Sequence, residues 1–368
     1  PEGRMMTGGD WNCILHVGAG KCGSSSLQAC LSRTPLIRGR DGRHAYCAIG
    51  PEGQVLSGRA LTRAALRSPF GFVASTDFRS HRDMPGSFLA AAPALRRILW
   101  TGRRPILSCE GWNFRGPEFA RHDLLRRMGL RARVVLFVRP PLDWLNSAWW
   151  QWPAWSRTHV DDWVGKNLFM VDWARQIEEW QAVPGVQRVD VHLATRDVVS
   201  CFYRLLGAPA PDSARVNGSV PAAVLRFLQR NRQEFRPDPH SSQIEFVLSR
   251  RVDFGALDPA PWILPRPLQA SVLAAMAPSV ARLATHLDPA EADELHADPR
   301  WHSAEAYADR PVEPVGPPED AGGQDALIAA LIRAIAAMDA RDLERLSPIW
   351  SRGRLPDRLG RLLGRPPV

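Results

Sequence analysis

A lysine stands in a glycine-rich stretch near the start of the chain, "HVGAGKCGSS" at 16–25. Lysine is rare here: of the 47 basic residues, only Lys21 and Lys166 are lysines, and the others are arginines. The apolar run before the stretch predicts a strand, and the serines after it predict the start of a helix. A turn between the two collects backbone N–H groups at the positive end of a helix dipole. The stretch therefore predicts an anion-binding turn with an ammonium group inside it.

The residues beside Lys21 fit that chemistry. Glycines allow a positive φ and a close approach of the backbone, and serines cap a helix or donate hydroxyl groups to oxyanions. Taken by itself, the turn could also be only a tight strand-to-helix connection. The phosphate loop of nucleotide hydrolases, G-x-x-x-x-G-K-[ST], places its lysine directly before the hydroxyl residue. Because Lys21 instead precedes Cys22 and Gly23, the spacing does not match that loop.

A second anion site is predicted in "VVLFVRPPLDWLNSAWW" at 134–150. The apolar strand ends at Arg139, Pro141 suits the first turn of a helix, and Ser147 lies on that helix. A guanidinium and a hydroxyl placed in this way can bind one phosphate. Considered alone, the two residues could equally be a surface arginine and an ordinary helix serine.

Together the two stretches resemble motifs of the PAPS-dependent sulfotransferase family, where PAPS is 3′-phosphoadenosine 5′-phosphosulfate. The first resembles P-K-x-G-[TS]-[TS]-x-L, the loop that binds the 5′-phosphosulfate. Gly20 replaces its proline and Cys22 an often-seen threonine, and the other motif positions match. The matching residues are Lys21, Gly23, Ser24, Ser25 and Leu27.

The second stretch resembles R-[DN]-P-x-x-x-x-x-S, the motif that binds the 3′-phosphate of the donor. Arg139, Pro141 and Ser147 match, whereas Pro140 replaces the polar residue. A third segment, at 215–232, resembles one of bacterial carbohydrate-type sulfotransferases, and Arg215 is a candidate nucleotide contact within it. The resemblance implies PAPS as donor, adenosine 3′,5′-bisphosphate as product, no metal, and contact of Lys21 with the oxygen that bridges sulfate and phosphate.

Transfer to an alcohol also needs a base for the acceptor hydroxyl. Glu110 directly follows a buried strand, at the sheet edge where open α/β folds bind ligands. The resemblance implies glutamate as the base in glycan sulfotransferases and histidine in cytosolic small-molecule ones. His81 and His16 are therefore alternatives. The alternative roles for Glu110 are a carboxylate at a helix N-terminus and an ion pair with an arginine.

The acceptor prediction rests on tryptophan. The chain has 14 tryptophans, and several follow the second anion motif closely. Tryptophan faces can stack on sugar rings or line an apolar slot, although core packing is their common role. We predict a saccharide or glycolipid hydroxyl as acceptor, with a lipid, a phenolic metabolite or a peptide tyrosine as alternatives. The candidate acceptor residues are Trp112, Trp152, Trp155 and His81.

Short apolar runs alternating with helical patterns predict a three-layer α/β sandwich with a central parallel sheet, a phosphosulfate-binding turn like a P-loop, and a helical C-terminal region. The predicted units are a sulfotransferase core over 11–235 and a mainly helical extension over 236–368. The predicted strands are 12–17, 44–49, 104–109, 133–138 and 187–193. The predicted helices are 24–33, 83–99, 117–128, 141–151, 168–182, 197–206, 220–232, 266–287 and 324–346.

The composition is that of a globular protein, with 45% hydrophobic and 23% charged residues. The net charge of +9 suits a polyanionic ligand, but no basic run is dense enough to predict nucleic-acid binding. The six cysteines show no metal-ligand spacing, and no apolar run reaches the roughly 20 residues of a membrane span. We expect free thiols and a cytoplasmic protein acting on a small-molecule or glycan acceptor.

Two other functions remain open from the sequence. One is a P-loop-type nucleotide kinase or NTPase, which the position of Lys21 disfavours. The other is a catalytically inactive scaffold that binds the donor nucleotide. Neither the identity of the acceptor nor the oligomeric state follows from the sequence.

Overall fold

The computed structural model describes most of the chain between residues 11 and 312 and a few residues beyond. Its described residues are 11–77, 84–156, 158–194, 197–211, 220–236, 238, 242–252, 261–312, 328, 329, 331–333, 335–339 and 342. The strands are β1 (Cys13–His16), β2 (Leu36–Gly39), β3 (Gly42–Ile49), β4 (Val55–Ser57), β5 (Arg103–Ser108), β6 (Ala132–Val138) and β7 (Val186–Leu193).

The α-helices of the first half surround these strands and are α1 (Ser24–Arg33), α2 (Gly58–Arg67), α3 (Met84–Trp100), α4 (Gly116–Arg121), α5 (Leu124–Met128), α6 (Pro141–Gln151) and α7 (Val160–Asn167). The later ones are α8 (Trp173–Gln181), α9 (Val198–Leu205), α10 (Ala222–Arg230), α11 (Arg232–Phe235), α12 (Gln243–Arg251), α13 (Arg266–Ala284) and α14 (Pro289–Ala297).

The strands form one mixed sheet in the order β2-β3-β5-β1-β6-β7, with β4 paired to β3. The pairs from β3 through β7 along this order are all parallel, whereas β2 and β4 are antiparallel to β3. Successive residues of a strand face opposite sides of the sheet. Because Val134–Val138 are buried without a break, both faces at β6 are covered. The predicted α/β class with a central, mostly parallel sheet flanked by helices is confirmed.

Strand order decides where the functional residues lie. β5, β1 and β6 are adjacent and parallel, so their carboxyl ends meet at one edge of the sheet. The glycine-rich turn follows β1, Glu110 follows β5 after one residue, and Arg139 follows β6 directly. Ligands of open α/β sheets bind at this edge.

The secondary-structure prediction was wrong in several places, and the helices α2, α7, α12 and α14 were not predicted. β2 and β4 were not predicted, although Arg40-Asp41 before Gly42 forms the two-residue turn of a β2–β3 hairpin. The helix predicted over 117–128 is two helices, because Asp123 takes a left-handed φ of 46° between them. The helix predicted over 168–182 begins only at Trp173, where the Asp172 side chain accepts a hydrogen bond from the Arg175 N–H.

The C-terminal helices pack on this sheet domain. α13 contacts α6 and α8. The Asn146 amide of α6 donates to the Pro261 carbonyl at 3.1 Å and accepts from the Ile263 N–H at 3.0 Å. The predicted division at residue 235 remains a prediction, and the helix predicted over 324–346 lies only partly within the described residues. Among the described residues, no helix combines the length and apolar character needed to cross a bilayer.

Candidate functional site

The turn between β1 and α1 has the backbone of an anion-binding loop. Lys21 and Gly23 take left-handed φ values of 65° and 84° before α1 begins at Ser24. No side chain caps this helix, and its first turn holds no acidic residue. The first N–H groups of a helix lack partners within the helix, so those of α1 are available to an anion.

Lys21 is partly buried and lines a cavity at the edge of the sheet. Burial lowers the pKa of its ammonium, while the carboxylates of Glu110 and Glu245 act in the opposite direction. Among the described residues, the Lys21 side chain has no hydrogen-bond or ion-pair partner. A charged group left in this state can bind an anion without first breaking a local contact.

The second predicted motif adjoins the first. The Arg139 guanidinium donates to the Lys21 carbonyl at 2.9 Å, and the Trp144 indole donates to the Gly20 carbonyl at 2.7 Å. Ser147 lies one turn beyond Trp144 on α6, a helix that begins at Pro141. These two hydrogen bonds attach the start of α6 to the loop after β1.

Glu110 lies on the opposite side of the turn, after β5. The Ser25 hydroxyl donates to its Oε1 at 3.3 Å. A Cβ at Gly20 would lie 3.3 Å from its Oε2, so a larger residue than glycine would press on the carboxylate. Burial raises the pKa of Glu110, and the charge of Lys21 together with the Ser25 hydrogen bond opposes this effect. A carboxylate with a raised pKa is suited to accept a proton near neutral pH.

One cavity of about 290 Å³ brings seven of the predicted site residues together. This volume is close to the lower end of ligand pockets, about 300 Å³. Its lining includes residues from the carboxyl ends of three adjacent strands and from two of the helices that follow them. The predicted residues in the lining are Lys21, Gly23, Ser24, Ser25, Glu110, Arg139 and Ser147.

Two other predicted loop residues do not line the cavity. The Gly20 carbonyl is bonded to Trp144, and the Cys22 side chain is buried in the core. Burial raises the pKa of the Cys22 thiol to about 12. Cys22 therefore contributes its backbone to the turn, and its thiol packs as a small apolar group.

The predicted acceptor tryptophans lie away from the cavity lining. Trp112 is 0% exposed, and its indole donates to the Thr76 carbonyl at 3.0 Å. Trp155 is 3% exposed and donates to the Trp150 carbonyl at 2.8 Å. Trp152 is partly buried, and its ring lies 6.1 Å from that of Trp144. Such burial gives Trp112 and Trp155 packing roles in place of the acceptor contact that the sequence predicts.

The remaining candidates have different outcomes. His81 and Arg215 lie outside the described residues. His16, the alternative base, is fully buried, and its Nδ1 lies 2.8 Å from the Ser108 hydroxyl. Burial lowers the pKa of His16 to about 3, and its ring does not line the cavity. Among the described candidates for the base, Glu110 is therefore the one that both contacts the loop and lines the cavity.

The far wall of the cavity was missed by sequence reasoning. It is formed by Arg236, by Ser242 at the N-cap of α12, and by the face of that helix that carries Glu245, Phe246 and Ser249. These four residues recur at helical spacing, but the surrounding sequence has no strand or glycine turn to mark a site. Only the arginine and glutamate themselves, nine residues apart, could have served as a signal.

All six cysteines are unpaired, as predicted, and the described residues hold no cluster of three or more His, Cys, Asp or Glu side chains arranged to bind a metal. No family model matches the chain, and no curated protein matches it either. A sulfotransferase from Alicyclobacillus acidocaldarius is a structural neighbour at 17% identity and a TM-score of 0.35, covering 76% of this chain and 98% of that chain. A likeness this weak carries no argument about function.

Proposed function

We propose that this protein is a PAPS-dependent O-sulfotransferase that transfers a sulfuryl group to an acceptor hydroxyl, with a saccharide or glycolipid as the acceptor class. The observation that supports the proposal is the meeting of the two sequence motifs. Lys21 with the serines of α1, and Arg139 with Ser147, line one cavity together with Glu110. Had the two motifs lain on different sides of the sheet, one nucleotide could not have bound both.

The groups that face the cavity fit a donor with two anionic ends. The first turn of α1 offers N–H groups without a side-chain cap, and Ser26 adds a hydroxyl group beside them. Arg139 keeps further N–H donors besides the one bonded to the Lys21 carbonyl. The two groups of donors would hold the 5′-phosphosulfate and the 3′-phosphate, respectively.

Bound there, PAPS supplies an activated sulfuryl group joined to a phosphate. The Lys21 ammonium stabilises negative charge that develops on the phosphate oxygen as the bond to sulfur breaks. Glu110 accepts the proton of the acceptor hydroxyl, and its raised pKa makes it a stronger base than an exposed glutamate. Ser25 holds one carboxylate oxygen of Glu110, so that the other oxygen can meet the acceptor.

The experiment is a thermal-shift measurement followed by sulfate transfer. We expect adenosine 3′,5′-bisphosphate to raise the melting temperature, and ATP with magnesium to raise it much less. Transfer of labelled sulfate from PAPS to a panel of glycans then separates an enzyme from an inactive scaffold. Stabilisation by magnesium ATP but not by adenosine 3′,5′-bisphosphate would instead support a kinase or NTPase.

A further inference from the structure

The face of α12 that lines the cavity differs in charge from the loop side. Ser242, Glu245, Phe246 and Ser249 put two hydroxyl groups, a carboxylate and a ring on one helix face. A carboxylate repels phosphate and sulfate groups, so this face is poorly suited to the anionic donor. Hydroxyl groups of a ligand, in contrast, can donate hydrogen bonds to it.

Glu245 is held in place by a buried arginine. Its Oε1 lies 2.8 Å from Arg236 Nε, and the Arg236 side chain is only 1% exposed. Arg236 also stacks over the Trp155 ring at 4.3 Å and donates to the Gln151 carbonyl at 2.9 Å. These contacts tie α12 to the end of α6, which carries Ser147. Arg236 thereby offsets part of the charge of the Glu245 carboxylate.

Among the described residues, the second oxygen of Glu245 has no hydrogen-bond partner. This oxygen, Oε2, is also shielded from solvent. A buried carboxylate oxygen without a donor is costly, and a hydrogen bond from a ligand hydroxyl would offset that cost. Because Arg236 already offsets the charge of Glu245, the pair favours a neutral hydrogen-bond donor from the ligand over a second cation.

We infer that the cavity face of α12 binds the acceptor, and that Glu245 selects a neutral, hydroxyl-rich acceptor over an anionic one. This inference rests on the proposed function and names the acceptor wall of the same site. It replaces the tryptophan cluster as the surface that recognises the acceptor. Arg236 is a positioning residue, since it acts through Glu245.

The test compares two acceptors that differ by one charge: methyl glucoside and methyl glucuronide. With PAPS as donor, the unaltered protein should have a higher kcat/KM for the glucoside. Glu245→Gln should raise the KM for the glucoside about tenfold, because a charged acceptor of hydrogen bonds becomes a neutral one. The variant should also show a smaller difference in kcat/KM between the glucoside and the glucuronide. The affinity for adenosine 3′,5′-bisphosphate should stay unchanged in this variant.

Ser242→Ala provides a second variant that leaves the Arg236–Glu245 pair intact. Its hydroxyl does not cap α12, so the helix should be as stable as before, while the KM for the glucoside should rise severalfold. Gln243→Ala, on the exposed side of the same helix, is the matched control and should change neither KM nor melting temperature.

The outcomes separate the inference from the function beneath it. Equal use of the two glycosides, transfer to neither of them despite donor binding, or an unchanged KM in both variants would overturn the acceptor assignment. A loss of adenosine 3′,5′-bisphosphate affinity in Glu245→Gln that matches the rise in KM would also overturn it, because α12 would then be a donor wall. Absence of any stabilisation of the unaltered protein by that nucleotide would instead remove the sulfotransferase proposal itself.

Discussion

The two walls of the cavity are built in different ways. The sheet wall consists of Lys21, Ser25, Glu110 and Arg139, which follow adjacent strands, and backbone carbonyls of the loop accept the hydrogen bonds that fix it. The helical wall consists of Arg236 and α12, and an ion pair and an aromatic contact fix it. The sheet wall is rich in anion-binding groups, whereas the helical wall carries a balanced ion pair. This difference is the reason why we propose that the donor binds the first wall and the acceptor the second.

The largest expected effect belongs to the sheet wall. Lys21→Ala removes the ammonium but keeps a Cβ, so the left-handed backbone conformation of the loop is not further strained. We expect kcat/KM for sulfate transfer to fall about 10³-fold or more, because both donor binding and charge stabilisation are lost. Steady-state kinetics with labelled PAPS measures this. Lys166→Ala, at the other lysine, which is exposed on α7, is the control and should retain full activity.

Glu110→Gln tests whether Glu110 acts as the base while other residues of the sheet wall bind the donor. We expect kcat to fall about 10²- to 10⁴-fold, with near-normal affinity for adenosine 3′,5′-bisphosphate. The base must be deprotonated, and burial raises the pKa of Glu110, so the activity of the unaltered protein should fall as the pH drops through that raised pKa. In the variant, this acidic limb of the pH–rate profile should disappear. Full turnover by the variant would show that another group removes the proton.

Gly23→Ala tests how far the conformation of the sheet wall depends on one residue. The φ of 84° disfavours alanine, and its Cβ would lie 2.8 Å from Val198 Cγ2. We expect the free energy of unfolding in urea to fall by about 1–3 kcal/mol, with weaker donor binding. Gly165→Ala is the matched control, because a Cβ there meets no atom within 4 Å. Equal stability of the two variants would mean that the loop tolerates a different backbone conformation.

The smallest effect is expected beneath the helical wall. Trp155→Phe loses the hydrogen bond to the Trp150 carbonyl and weakens the contact with Arg236, so the free energy of unfolding should fall by about 1–2 kcal/mol. Trp100→Phe, at an 82% exposed position, should leave stability unchanged. If the variant instead showed a tenfold higher KM for the acceptor without loss of stability, Trp155 would contact the acceptor, as the sequence predicts.

The sheet wall could be predicted because its signals are local. An apolar strand followed by a glycine turn or an arginine is visible within a dozen residues, and parallel strands bring their carboxyl ends to one edge. The strands β1, β3, β5, β6 and β7 and the helix α6 were therefore predicted close to their observed bounds. Tryptophan gave no such guidance, because the residue type that packs in the core at Trp112 can stack on ligands in other proteins.

The sequence alone determined the fold class, and it predicted the turn around Lys21 and a second anion motif formed by Arg139 and Ser147. Tertiary structure alone decided that these motifs line one cavity, that Trp112 and Trp155 are buried, and that Arg236 and Glu245 close the far side. The physical reason is the separation along the chain of the residues that interact. Strand, turn and helix preferences depend on neighbours in the chain, whereas burial and the presence of Glu110 and Glu245 in the lining of one cavity depend on how distant segments pack.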